Sequence, residues 1–227
     1  MPKFIIGLLI SSIVLINGLA HASFQLETMT VILDASEQRK VFSVKNRSNE
    51  PILLSTKVAD IAGGSAFAHN VIISPPITRI EPDQSQQINF VLKKGVNLSQ
   101  EALLKVSFQG IGAERKNTTR MPIRQDIAML IIPTGMRVSQ SPWETLAVKQ
   151  QGDQLILSNT GQQVIRLSPN FTGLPGNEVY NLGQFYLRPG ENRIVTAKRE
   201  LNDIRISPLS RYGFKMQNDA VIKVVQN

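Results

Sequence analysis

"TTRMPIRQDIAMLIIP", residues 118–133, begins basic and polar, places Met121, Ile123, Ile127, Met129 and Ile131 on one alternating row, and stops at Pro133. Alternation with a period of two marks a β-strand with one apolar face. That face either belongs to the protein's own core or is partly lent to another molecule.

On both sides of this stretch the chain is a string of short strands. Upstream, strands are expected at Phe24 to Leu33, Gln38 to Asn46, Ile52 to Val58, Val71 to Ser74, Gln86 to Lys93 and Ala102 to Gln109, with Arg120 to Ile132 as the seventh. Seven short strands with turn residues between them fit an immunoglobulin-like sandwich. Pro133-Thr134-Gly135 and Ser141-Pro142 place a boundary near residues 134 to 143. Beyond it, strands are expected at Leu146 to Gln150, Gln154 to Ser158, Gln163 to Pro169, Gln184 to Leu187, Asn192 to Lys198 and Ala220 to Val225, with a loop at residues 173–176. The expected fold is all-β: two immunoglobulin-like sandwiches, 23–137 and 138–227, joined by a short linker.

Residues 1–22 read as a secretory signal peptide, with Lys3, an apolar run from Phe4 to Leu19 and a close on Ala20-His21-Ala22. The run is about fifteen residues, short of the roughly twenty that span a bilayer, so no membrane insertion is expected. Cysteine is absent, so an exported fold of this kind must rest on packed cores. Without the signal peptide, 24 Lys and Arg face 17 Asp and Glu, a surplus that favours acidic partners. Nucleic acid is not expected, because no basic strand is interleaved with stacking aromatics.

Catalytic chemistry finds little support. His69 is the one histidine after residue 22, no Gly-x-Ser-x-Gly elbow accompanies it, and it reads as a loop residue. One histidine and no cysteine argue against zinc. The acidic pairs Asp34/Glu37, Glu81/Asp83 and Glu200/Asp203 fall at expected turns, and none forms a calcium loop. The expectation is a protein that is not an enzyme and holds no cofactor and no metal. A sandwich edge that adds a strand from a partner remains as the source of function.

"VIISPPITRIEPDQSQQINFVL", residues 71–92, resembles the segment of the periplasmic pilus chaperones, the PapD-like family, that carries a double proline, an Arg and a Glu-Pro between strands; these are Pro75, Pro76, Arg79, Glu81 and Pro82. "VKNRSNEPILLSTKV" (44–58), with Asn46 and Pro51, resembles its second and third strands, and "LILSNTGQQVIRL" (155–167) and "FYLRPGENR" (185–193) resemble its second domain. The last two forms look closer to the alternate or archaic branches. The resemblance implies a boomerang-like pair of domains in the bacterial periplasm. It implies a chaperone-usher protein that binds, folds and caps pilus subunits, adhesins included, by lending its seventh strand, and hands them to an outer-membrane usher. Such proteins serve fimbrium biogenesis and pilus assembly at the cell wall. Met121, Ile123, Ile127 and Met129 are then the donor residues, a contribution of about 6 to 12 kcal/mol if all four are buried on binding. An exposed donor row also suggests a self-capping oligomer in the free protein.

The family commonly anchors the subunit's C-terminal carboxylate with an Arg on the first strand and a Lys near the end of the seventh. The matching positions are Thr30 and Ala128, which carry no charge. Arg124, Arg120 and Lys57 are substitutes by charge and position, since a guanidinium grips a carboxylate through two parallel hydrogen bonds. The strand's end, Ile131-Ile132-Pro133, also lacks the family's aromatic-Arg pair, which puts the usual interdomain ion pairing in doubt. The other reading left open is a secreted two-domain β-sandwich adhesin or structural surface protein, with the whole row of the seventh strand as core.

Overall fold

The computed structural model describes residues 24–64, 66–112 and 121–226. The expected signal peptide and Arg120 lie outside them. The first sandwich contains β1 (Phe24–Leu26), β2 (Thr30–Asp34), β3 (Arg39–Asn46), β4 (Ile52–Asp60), β5 (Val71–Ser74), β6 (Ile77–Ile80), β7 (Ser85–Leu92), β8 (Ala102–Gly112) and β9 (Ile123–Ile132). One sheet runs β1-β3-β7-β5 and the other β2-β9-β8-β4-β6.

The expected first strand is split. Phe24–Leu26 pairs antiparallel with β3, whereas Thr30–Asp34 pairs parallel with β9 in the opposite sheet. The Glu27 carboxylate accepts the Ser43 N–H at 2.8 Å and the Thr28 hydroxyl donates to the Thr30 carbonyl at 2.8 Å, which satisfies polar groups where the chain changes sheets. β6 was not expected; the Pro75-Pro76 step carries the chain from the sheet of β5 to that of β4, where Ile77–Ile80 adds an edge. Between the sheets lie Phe42, Phe90 and Phe108, with Phe42 stacked on Phe108 at 5.4 Å and both edge-on to Phe90 at 6.4 Å.

The second sandwich contains β10 (Leu146–Gln151), β11 (Gln154–Asn159), β12 (Ile165–Arg166), β13 (Asn170–Leu174), β14 (Glu178–Asn181), β15 (Tyr186–Leu187), β16 (Asn192–Thr196), β17 (Asp203–Ile206) and β18 (Ala220–Gln226). Its large sheet runs β14-β13-β17-β18-β10-β11-β16, and β12 pairs with β15. β13, β14 and β17 are additions to the expected set, and the expected 173–176 loop starts two residues late. Gly173 stays in strand β13 because a Cβ there would meet the Tyr180 ring at 2.7 Å and Leu201 at 2.8 Å. A residue that looks like a turn former is a packing necessity.

Each sandwich carries one fully buried asparagine at a strand end. Asn46 donates to the carbonyls of Glu50 and Ile80, and Asn159 to those of Gln163 and Leu187. These side chains tie a loop carbonyl to a strand-end carbonyl in each sandwich and satisfy both acceptors.

Glu191 does similar work for the turn at residues 188–191. Its carboxylate accepts the Arg188 N–H at 2.9 Å and Nε of Arg188 and Arg193 at 2.8 Å each. Burial alone would raise its pKa, but the hydrogen bonds from Arg188 and Gln184, together with the Arg188 charge, bring it from 4.5 to about 2. A carboxyl depressed on folding contributes stability that is complete above about pH 4.5 and is lost as pH falls to about 2. We expect Glu191→Gln to cost about 2 to 3 kcal/mol at pH 7 in urea unfolding, with the difference from wild type shrinking across that window. A pH-independent difference would assign the effect to packing instead.

Candidate functional site

β9 is bordered differently along its two sides. β8 pairs with it from Ile123 to Ile131, but β2 joins only at Ala128, opposite Thr30. Among the described residues, Ile123–Ile127 therefore has hydrogen-bonded backbone neighbours on one side and an open lane on the other.

The odd-numbered row follows the same division. Ile127 and Met129 are 4% and 0% exposed and pack in the first sandwich's core, so their expected place among the donor residues is corrected. Once β2 fills the lane, the sheet is complete and the row behind it belongs to the protein's own interior. Ile123 is half-buried at the edge of that core, and Met121, at 84% exposure, projects beyond it. Gln125, between Ile123 and Ile127 on this row, donates to the Phe24 carbonyl at 3.1 Å, and it shares an open recess with Phe24, Leu26 and the exposed Met29. The row thus begins in core and runs out into solvent.

The even-numbered face of β9 looks toward the second sandwich and is basic. Lys105, Ala128 and Thr30 stand side by side across three strands, and Lys57, Ser107 and Asp126 form the next row. Arg124 grips Asp126 at 2.8 and 3.1 Å and donates to the Ser107 hydroxyl at 3.0 Å. Lys105 reaches the same carboxylate at 3.6 Å. The Arg124 hydrogen bond leads the effects that hold Asp126 below the ordinary carboxylate range. Lys57 is exposed two strands from β9, so of the expected anchors among the described residues only Arg124 lies on β9 itself, and it already has an acid.

Two cations escaped the sequence reading. Lys105 is the partner of Ala128, and Arg166, on β12 of the second sandwich, donates from Nη1 to the Thr30 hydroxyl at 2.8 Å. The available signal for Arg166 was a lone charge in the apolar run Val164-Ile165-Arg166-Leu167. Among the described residues, no three His, Cys, Asp or Glu side chains come together as a metal site, and no helix is long and apolar enough to cross a membrane.

Residues 23–137 match the family model of the pili and flagellar-assembly chaperones, PapD N-terminal domain. The chain belongs to the PapD-like family of pilus chaperones. It is 30% identical over 193 residues to the fimbrial chaperone YhcA of Escherichia coli (strain K12), covering 83% of this chain and 85% of that one. Its fold matches the Salmonella enterica SafB chaperone, solved in complex with the SafA pilin, with a TM-score of 0.74 at 20% identity, over 88% of this chain and 96% of that one. It also matches CsuC, from the CsuC-CsuE chaperone-tip adhesion subunit complex of Acinetobacter baumannii, with a TM-score of 0.63 at 16% identity, over 91% and 100% of the two chains. Members of this family are not enzymes.

In this pilus chaperone the contact between sandwiches is built from its own set of residues. Leu103 and Leu130 pack on Val164, flanked by Ile61, Ala128 and Tyr186. Above them Glu101, whose side chain is fully buried, pairs with Arg211 and accepts the Val164 N–H at 2.8 Å. An interdomain ion pair is therefore present in spite of the missing aromatic-Arg ending. Burial is the largest influence on the Glu101 carboxyl and raises its pKa, against the opposing pull of Arg211. Removing one partner of a buried pair strands the other, typically at a cost of about 3 to 5 kcal/mol. Arg211→Ala is expected to lower the unfolding midpoint clearly at pH 7, with the deficit shrinking as the pH falls and Glu101, whose pKa burial already raises, takes up a proton. An unchanged midpoint at pH 7 would show that the clasp is dispensable.

Proposed function

We propose that this chain is a periplasmic assembly chaperone that holds pilus subunits by lending them β9 and passes them to an outer-membrane usher. The observation that carries the reading is the open lane beside Ile123–Ile127, next to an apolar row that ends in an exposed Met121. A subunit strand laid in that lane gains main-chain hydrogen bonds along it, while Met121 and Ile123 supply side chains for the subunit's own core. Two apolar side chains contribute about 3 to 6 kcal/mol on burial, half of what the full four-residue row would supply. The likeness to chaperones solved with a pilin or a tip adhesion subunit supports the same class of partner.

The test is co-purification from periplasmic extracts, comparing wild type with a Met121→Asp, Ile123→Asp double variant and identifying captured proteins by mass spectrometry. Both residues lie outside the fully buried core, so the variant should remain folded. A pilin-like subunit retained by wild type and reduced at least tenfold with the variant is the expected result. Equal recovery by both proteins, or no subunit with either, would instead favour an adhesin or structural surface protein that keeps β9 for itself.

A further inference from the structure

Sulfur in this chain is thioether alone: the sequence holds six Met and no Cys. Oxidants that a thiol would meet elsewhere therefore meet methionine here, and exposure decides which methionine reacts. The five methionines of the described residues divide sharply. Met129 is fully buried in the first core and Met136 and Met216 are half-buried, whereas Met121 is 84% and Met29 52% exposed. The two exposed ones stand at the two ends of the β9 lane. Met121 precedes Ile123, where the lane opens, and Met29 precedes Thr30, whose pairing with Ala128 closes it. Met29 lines the recess that holds Gln125 and a second recess of about 380 Å³ with Leu26, Tyr212 and Phe214.

Hydrogen peroxide reacts at such a sulfur without help from the protein. A thioether lone pair attacks one peroxide oxygen, the O–O bond breaks and hydroxide departs. The hydroxide then takes the proton from the sulfur-bound oxygen, so the products are methionine sulfoxide and water. Sulfur loses two electrons and the peroxide oxygens gain them. An apolar, flexible side chain has become polar, with an oxygen that accepts hydrogen bonds. In the free protein that oxygen stands in water at positions 121 and 29, and the fold is indifferent to it. In a complex the Met121 side chain enters an apolar site of the partner, where an oxygen buried without a donor is unfavourable. Reductases with a pair of thiols reverse the change, releasing the oxygen as water and becoming disulfides.

We propose that Met121, with Met29 at the far end of the lane, is a reversible oxidation site through which peroxide releases the chaperone's hold on its subunit without unfolding the chaperone. The proposal rests on the strand-lending reading and adds to it a means of regulation. The division along β9 is what makes the site a switch. Met129 keeps its sulfur shielded, so the core half of the strand stays anchored, while the half offered to a partner is the half that oxidises. An isoleucine at position 121, of the kind found at Ile123 and Ile127, would continue the apolar row without reactive sulfur.

The test treats the chaperone alone with hydrogen peroxide and removes the excess with catalase. The probe is the pilin-like subunit recovered with wild type, denatured and diluted into the treated protein. Peptide mass spectrometry should find the added oxygen on Met121 and Met29 before Met129, Met136 or Met216, at an unchanged melting midpoint. Capture by treated wild type should fall at least tenfold, and methionine sulfoxide reductases for both sulfoxide epimers should restore it. A Met121→Leu, Met29→Leu double variant is compared with itself before and after treatment, and that ratio should stay close to one. Equal loss in the double variant, slower oxidation of Met121 than of Met136, or undiminished capture by wild type oxidised at Met121 would overturn the switch. A treated protein that melts lower in wild type and double variant alike overturns it too, since the loss is then unfolding. If untreated wild type and the Met121→Asp, Ile123→Asp variant capture equally, strand lending itself is wrong.

Discussion

Everything in this structure that bears on function follows from where β2 starts. A strand's hydrogen bonds must be met along both sides, and β9 is served on its second side only from Ala128 onward, by Thr30–Asp34. The chain that could have filled the remaining lane has changed sheets: Phe24–Leu26 pairs with β3 on the other layer. An unpaired edge is ordinarily a hazard that proteins blunt with charge, proline or a covering segment. Some blunting is visible, with Pro122 just before β9 and Arg124 and Asp126 along it. These groups interrupt only the even-numbered face, and the apolar row on the other face continues to Met121.

The same register sets the character of both faces of β9. Odd positions downstream of Gln125 are core, and even positions meet the second sandwich, where Ala128 and Leu130 join the interdomain cluster. A chain without cysteine has only packing and polar contacts with which to hold two sandwiches together. A small apolar patch would leave the interface mobile, and interfaces of this kind move by default unless something fixes them. Glu101 and Arg211 supply direction: the carboxylate is gripped by a guanidinium and by the Val164 N–H, which also satisfies a buried backbone donor. A buried pair of this sort adds little net stability over apolar packing and tolerates the loss of neither partner, which suits it to fixing a geometry.

The sequence made the strand periodicity legible and left the partners of each strand hidden. Alternation in Met121 to Ile131 correctly gave one apolar face, but it carried no mark of where that face passes from open edge to core, because the boundary is set by Thr30, almost a hundred residues upstream. Ile127 and Met129 were therefore grouped with Met121. β13 was missed because it carries a glycine, read as a turn former, whose reason is the Tyr180 ring; β14 and β17 are short strands of four residues each that pair with it. Among the cations, charge and position on the first sandwich pointed to Arg124 and Lys57. No local pattern could reveal that the Thr30 hydroxyl is met by Arg166, 136 positions away and in the other domain.

That last contact changes how the cleft must work. A cation carried on β2 or β9 would be fixed by the first sandwich alone, whatever the second did. Arg166 is rooted in β12, between the buried Ile165 and Leu167, and reaches Thr30 only while the sandwiches are docked. Its place opposite β9 is therefore conditional on the Leu103, Leu130 and Val164 contact and on the Glu101 clasp beside it. The loop from Ser210 to Phe214 tightens this dependence, since it offers the Arg211 carbonyl to Arg166 and the Arg211 guanidinium to Glu101. One residue thus ties the buried carboxylate to the Arg166 guanidinium, and the electrostatics of the β9 lane become a property of the two-domain geometry and not of the first sandwich alone.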